Sequence, residues 1–136
     1  MRVYLFFLST KYFLSFLFKK NFTHCAGVID SGNNLVIFEP TNSQLIIKSI
    51  NDAKGDTLSS IIKEWKPTVA VVGDINYVNR KTPLFRPASL SCVGALKYLI
   101  GDNSFKHLTP YSLYKALKSG NIKTFNLKEV VYEKTR

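Results

Sequence analysis

A single α+β domain follows from three features of the chain. Its 136 residues, 46% of them hydrophobic, are enough for one modest core. Residues 23–41 read as two strands folded back on each other at the turn-forming run Asp30-Ser31-Gly32-Asn33-Asn34. Around this hairpin, further strand-like runs are interspersed with three stretches of helical spacing, each with its own cap or breaker.

Residues 1–20 are aromatic, basic and free of acidic side chains. Lys11 cuts the apolar run into pieces too short to cross a bilayer. Lys19 and Lys20 stand where a signal peptide would place small residues. The segment therefore reads as a strand over residues 2–8, rich in Val, Tyr, Leu and Phe, followed by an amphipathic stretch over 12–18. A membrane-surface role for that lysine-flanked stretch is the competing expectation. In the hairpin, a four-residue loop 30–33 would set Val28 against Leu35, Ala26 against Ile37 and His24 against Glu39, all on one face. Pro40 ends that strand, and residues 45–50 form another. Residues 57–66 read as a short helix. Asp56 or Thr57 caps it, Leu58, Ile61, Ile62 and Trp65 share its apolar face, and Pro67 stops it. Residues 68–72 are a buried strand. Residues 77–89 carry Arg80, Lys81, Pro83, Arg86 and Pro87 and read as an ordered loop or edge segment. A helix over 91–100 is stopped by Gly101. A second, over about 109–118, is opened by Thr109 and Pro110 and closed by Gly120-Asn121. A β-like piece over 124–132 precedes a charged tail. The domain thus divides into an N-terminal segment 1–20, a core 21–120 and a C-terminal strand and tail 121–136, with no internal repeat.

The formal charge of +10 suits nucleic acid, anionic lipid or a DNA-filled virion. However, the 15 lysines against 4 arginines, the abundance of Asn, Ile and Phe, and the absence of any basic run of five favour a coding bias as the source of much of it. Two cysteines, Cys25 and Cys92, form neither a disulfide framework nor a zinc-spaced pattern. Both read as free thiols. This favours a cytoplasmic or virion-associated protein over a secreted one, and no metal or cofactor is expected.

Cys92 stands at the start of a helix. The unpaired N–H groups and positive dipole end there favour the thiolate, and the same N–H groups can bind an oxyanion. His24 is the candidate base, and Glu39 the acid that holds its ring. Cys25, on the opposite face of the strand from His24, reads as core. His107 is a substitute base, Asp74 a second acid, and Lys81 and Arg86 candidate receptors for an anionic substrate. No glycine-rich phosphate loop, paired catalytic carboxylates or serine nucleophile elbow is present.

The order of these parts resembles the circularly permuted papain-like (NlpC-type) cysteine hydrolase superfamily, in which the His-bearing strands precede the Cys helix. More narrowly, it resembles small papain-like proteins of bacteriophage and bacterial genomes. The matching pieces are His24-Cys25, Phe38-Glu39-Pro40, Ser91-Cys92-Val93 through Leu96-Lys97, and Leu108-Thr109-Pro110-Tyr111 with Leu113-Tyr114. They span about residues 23–117 and leave the first twenty residues outside the shared pattern. The resemblance implies an antiparallel sheet packed against the Cys-bearing helix, with Cys92 as nucleophile, His24 as base and Glu39 as orienting residue. It also implies a peptide, peptidoglycan or acyl substrate, and hence a peptidase, amidase or acyltransferase. The rival expectation is a non-catalytic structural or binding protein that keeps the fold, either a virion component contacting other virion proteins or a basic nucleic-acid or membrane-surface module.

Overall fold

The computed structural model of the chain describes residues 1–10, 18–41, 44–75, 91–102, 104 and 106–135. The amphipathic stretch expected over 12–18 falls almost wholly outside them. So does the segment 77–89 with Lys81 and Arg86.

The chain runs β1 (Arg2–Leu8), β2 (His24–Asp30), β3 (Leu35–Pro40), β4 (Leu45–Ile50), α1 (Thr57–Trp65), β5 (Val69–Ile75), α2 (Cys92–Ile100), α3 (Pro110–Lys118) and β6 (Phe125–Glu133). The strands form one six-stranded sheet in the order β4-β3-β2-β1-β5-β6, with every neighbouring pair antiparallel. This is an α+β architecture, as the sequence pattern indicates. Both ends of the chain belong to this sheet. β6 lies on one edge, and β1 sits between β2 and β5 near the centre.

The central place of β1 accounts for its composition. Val3, Leu5 and Phe7 point to one side, where they join Cys25, Val69, Val71 and the inner faces of α2 and α3. Tyr4, Phe6 and Leu8 point to the other, where they join Ala26, Val28, Ala70, Val72 and Ile61 of α1. A strand covered on both faces has no polar side to present, so it reads as a continuous apolar run. Phe6 meets Trp65 of α1 edge-on at 5.1 Å, and Phe7 meets Tyr114 of α3 at 5.4 Å.

Local chemistry sets the helix ends. Ser91 caps α2 by accepting the Gly94 N–H at 2.9 Å, and Gly101, at φ 77°, ends the helix. Thr109 and Ser112 form a reciprocal capping box at the start of α3, with Pro110 in the first turn. Lys66 closes α1 in a left-handed conformation just before Pro67.

The hairpin register differs from the expected one. Asp30 remains in β2 opposite Leu35, and the loop is residues 31–34. Asp30 Oδ1 accepts the Gly32 N–H at 2.8 Å, while the Ser31 N–H donates to the Asn34 carbonyl at 3.1 Å. An aspartate that ends a strand and caps the turn with its own side chain moves the loop one residue along. Val28 then faces Ile37 rather than Leu35. Continued beyond its last pair, the same register brings Glu39 level with Ala26 and Thr41 level with His24. The paired residues 27–30 keep their expected alternation, because the partner has moved by two residues. The direct His24–Glu39 pairing is lost.

Candidate active site

Three side chains meet where β2 begins and α2 begins. The β2–β3 ladder covers only Gly27–Asp30 of β2, so His24, Cys25 and Ala26 lie beyond it. The start of β2 is held instead by Thr23. Its hydroxyl donates to the Thr10 carbonyl at 2.8 Å and accepts the Thr10 N–H at 2.7 Å, locking the entry of β2 to the exit of β1. β2 also pairs fully with β1, from Arg2 opposite Asp30 to Leu8 opposite His24.

α2 lies directly over this strand. A Cβ added to Gly27 would stand 2.9 Å from Leu99 and 3.1 Å from Leu96, so glycine is what allows the helix this close. Cys25 precedes Gly27 by one pleat on the same face, about 7 Å along the strand. Cys92 precedes Leu96 by about 6 Å along the helix. The two rises match, and the first residue of the helix arrives over Cys25.

Cys92 packs against the core cluster that contains Cys25, close enough to Cys25 and His24 for both to set its acidity. Full burial and the neighbouring Cys92 push the pKa of Cys25 well above the ordinary thiol value. Cys92 is only partly buried and goes the other way. The Cys25 hydrogen bond lowers its pKa most. Burial opposes that, and the His24 hydrogen bond, the His24 charge and the Cys25 N–H lower it further, to about 5. Near neutral pH the site therefore holds a Cys92 thiolate beside a Cys25 thiol that keeps its proton.

The sequence-predicted residues are thus distributed unevenly. Cys92 and His24 are brought together. His24 is itself buried, at 7% exposure. Glu39 pairs with Ile46 of β4 and follows Phe38, which faces α2, so it lies on the α1 side of the sheet, away from Cys92, and two residues short of the position opposite His24. No described residue forms a hydrogen bond or ion pair with its carboxylate. Asp74 is at the far end of the sheet. It lies opposite Arg2, while His24 lies opposite Leu8, and its carboxylate is 3.5 Å from Lys128. His107 sits in the loop before α3 in a left-handed conformation, φ 60°, and takes no part in the Cys92 contacts. Cys25 is core, as expected, at 0% exposure. It is also the strongest influence on Cys92, a role the sequence reading missed. The missed signal is the alternation Cys25, Gly27. Two small residues on one face of a strand mark where a helix can settle closely.

The remaining buried charge is structural. Lys97, on α2, donates to the Ser104 and Lys106 carbonyls and pairs with Asp102 at 3.5 Å, tying the loop after α2 to the helix. Among the described residues no group of three His, Cys, Asp or Glu side chains is placed to hold a metal ion, and no helix is long and apolar enough to cross a membrane. Comparisons with models of protein families, with curated proteins and with solved structures find no match to this chain.

Proposed function

We propose that this protein is a cysteine hydrolase acting on an amide or ester, with Cys92 as nucleophile and His24 as general acid and base. The observation that carries the reading is Cys92 at the first position of α2, with its pKa lowered to about 5 and His24 among the causes. The order of parts, with His-bearing strands before a Cys helix on an antiparallel sheet, supports a permuted papain-like arrangement.

In this reading the Cys92 sulfur attacks the substrate carbonyl. The oxyanion forms beside the Cys92 N–H, at the positive end of α2. His24 then donates its proton to the leaving amine or alcohol, leaving a thioester on Cys92. Water, deprotonated by His24, attacks the thioester and releases the acid. Glu39, the orienting acid of the resemblance, lies on the α1 side of the sheet, so Cys92 and His24 carry the reaction in this reading. The substrate classes are peptide, peptidoglycan cross-bridge and lipid or other acyl ester, all with a carbonyl that a thiolate attacks.

The test is an activated ester, p-nitrophenyl acetate, with intact mass measured during turnover. An acetyl group accumulates on Cys92, and Cys92→Ala abolishes both the adduct and the release of nitrophenol above the uncatalysed rate. His24→Ala slows turnover by about 10²- to 10⁴-fold, the usual contribution of a positioned acid–base group. Equal ester turnover by wild type and Cys92→Ala would sink the proposal and leave the fold as a binding scaffold.

A further inference from the structure

We propose that Cys25 is a resolving thiol, so that attack of a hydroperoxide on Cys92 ends in a reversible Cys25–Cys92 disulfide. Three features of the geometry carry this. Cys25 lies in the core cluster under α2, and Cys92, at the first position of that helix, packs against the same cluster. Both are free in this structure. The contact is also held by the fold rather than by mobile side chains, because the close approach of Leu96 and Leu99 over Gly27 registers the helix on the strand.

The two cysteines are not equivalent. Cys92 is partly exposed at a helix N-terminus, while Cys25 is sealed in the core at 0% exposure. A dissolved oxidant meets Cys92 first. The Cys92 thiolate attacks one peroxide oxygen and the O–O bond breaks. Two electrons pass from sulfur to the peroxide, Cys92 becomes a sulfenic acid, and the alcohol or water leaves with a proton from the His24 imidazolium or solvent. Cys25 then gives up its proton, and its sulfur attacks the Cys92 sulfur. The S–S bond forms, the S–O bond breaks, and hydroxide departs with that proton as water. Overall, two thiols and one hydroperoxide give one disulfide, one alcohol and one water. A buried neighbour that captures the sulfenic acid also protects Cys92 from irreversible oxidation to the sulfinic acid. The disulfide depends only on the placement of the two sulfurs. Its consequence, reversible silencing of the nucleophile, rests on the hydrolase reading above.

The experiment treats the full chain with equimolar hydrogen peroxide, then maps peptides under non-reducing conditions. Wild type loses the mass of two hydrogen atoms, yields a linked peptide containing Cys25 and Cys92, and recovers its starting mass with dithiothreitol. Cys25→Ser instead gives a Cys92 sulfenic acid that dimedone traps. With excess peroxide it goes on to the sulfinic acid, and dithiothreitol does not reverse this. Circular dichroism checks that Cys25→Ser is folded, and Cys25→Ala replaces it if it is not. The wild-type peptide map decides the matter without either variant. Wild type that oxidises at Cys92 with no linked peptide overturns the proposal, as does wild type that behaves like Cys25→Ser. Because the linked peptide is read without substrate, its absence and a failure to form acyl-enzyme are separate results.

Discussion

Cys25 is sealed in the core and Cys92 is only partly buried, and their mutual influence drives the acidity of the two groups apart. A thiol with a pKa of about 5 is protonated below that pH and thiolate above it. Alkylation of Cys92 by iodoacetamide should therefore rise through about pH 5 and then level off. An ordinary thiol would still be rising near about pH 8.5. The expected size of the effect needs both sides of the argument. At about pH 6 the thiolate fraction exceeds that of a free thiol by roughly 300-fold. A less basic sulfur, however, is a poorer nucleophile by roughly 30-fold. The net gain is on the order of tenfold, measurable by mass spectrometry of timed aliquots. Cys25 should stay unlabelled throughout, since it is both buried and protonated. His24→Gln removes one hydrogen bond and one charge from Cys92, so the labelling curve should move to higher pH. A curve that does not move would show that His24 leaves the sulfur alone. At this scale the residue types were legible. A cysteine at a helix start and a histidine on a strand are local facts. The partnership of Cys25 with Cys92 was not, because no local pattern ties a strand residue to a helix 67 positions later.

α2 is the element that turns those residues into a site. Its position on β2 depends on one missing side chain, and its first turn on one hydroxyl. Gly27→Ala pushes a methyl group against the Cδ2 ends of Leu99 and Leu96, which must shift to make room. It should cost about 1–3 kcal/mol in urea unfolding. Because the helix must lift to make room, it should also slow Cys92 alkylation. Unchanged labelling in a destabilised Gly27→Ala would mean that the strand, rather than the helix, had moved. Ser91→Ala removes the acceptor for the Gly94 N–H. It should cost about 1 kcal/mol by the same measurement. The hairpin shows how far sequence reasoning carries at this scale. Both strands were placed to within a residue, and the loop was set one residue too early. The partner of each residue was missed by two because Asp30 supports the turn from within the strand, and turn chemistry alone does not say which of five polar residues opens the loop.

For the whole molecule, the governing fact is a sheet covered on both faces, with β1 near its centre. Truncation on either face of β1 should then be comparably damaging. Leu5→Ala empties the side under α2 and α3, and Phe6→Ala the side under α1 beside Trp65. Both residues are at 0% exposure. Each should cost about 2–5 kcal/mol, a large part of the roughly 5–15 kcal/mol that holds a domain together. Ile47, on the edge strand β4 and 60% exposed, should tolerate alanine within about 0.5 kcal/mol. Urea midpoints for the three variants check the ranking. A mild Phe6→Ala would mean that α1 covers its face only loosely. The twenty-residue N-terminal segment thus belongs to the architecture at least through β1, although it lies outside the motif pattern that suggested a cysteine hydrolase.

Hydrophobic periodicity, capping residues and turn formers act over a few positions. The chain's own order of residues was therefore enough to locate nine elements, the helix start at Cys92 and the strand that carries His24. Strand order, hairpin register and the meeting of α2 with β2 are non-local. They depend on which apolar faces can be buried together, and on a gap the size of a glycine. Those relations set Cys92 against His24 and Cys25, kept Asp74 at the other end of the sheet, and left Glu39 two residues from where the turn alone would have put it.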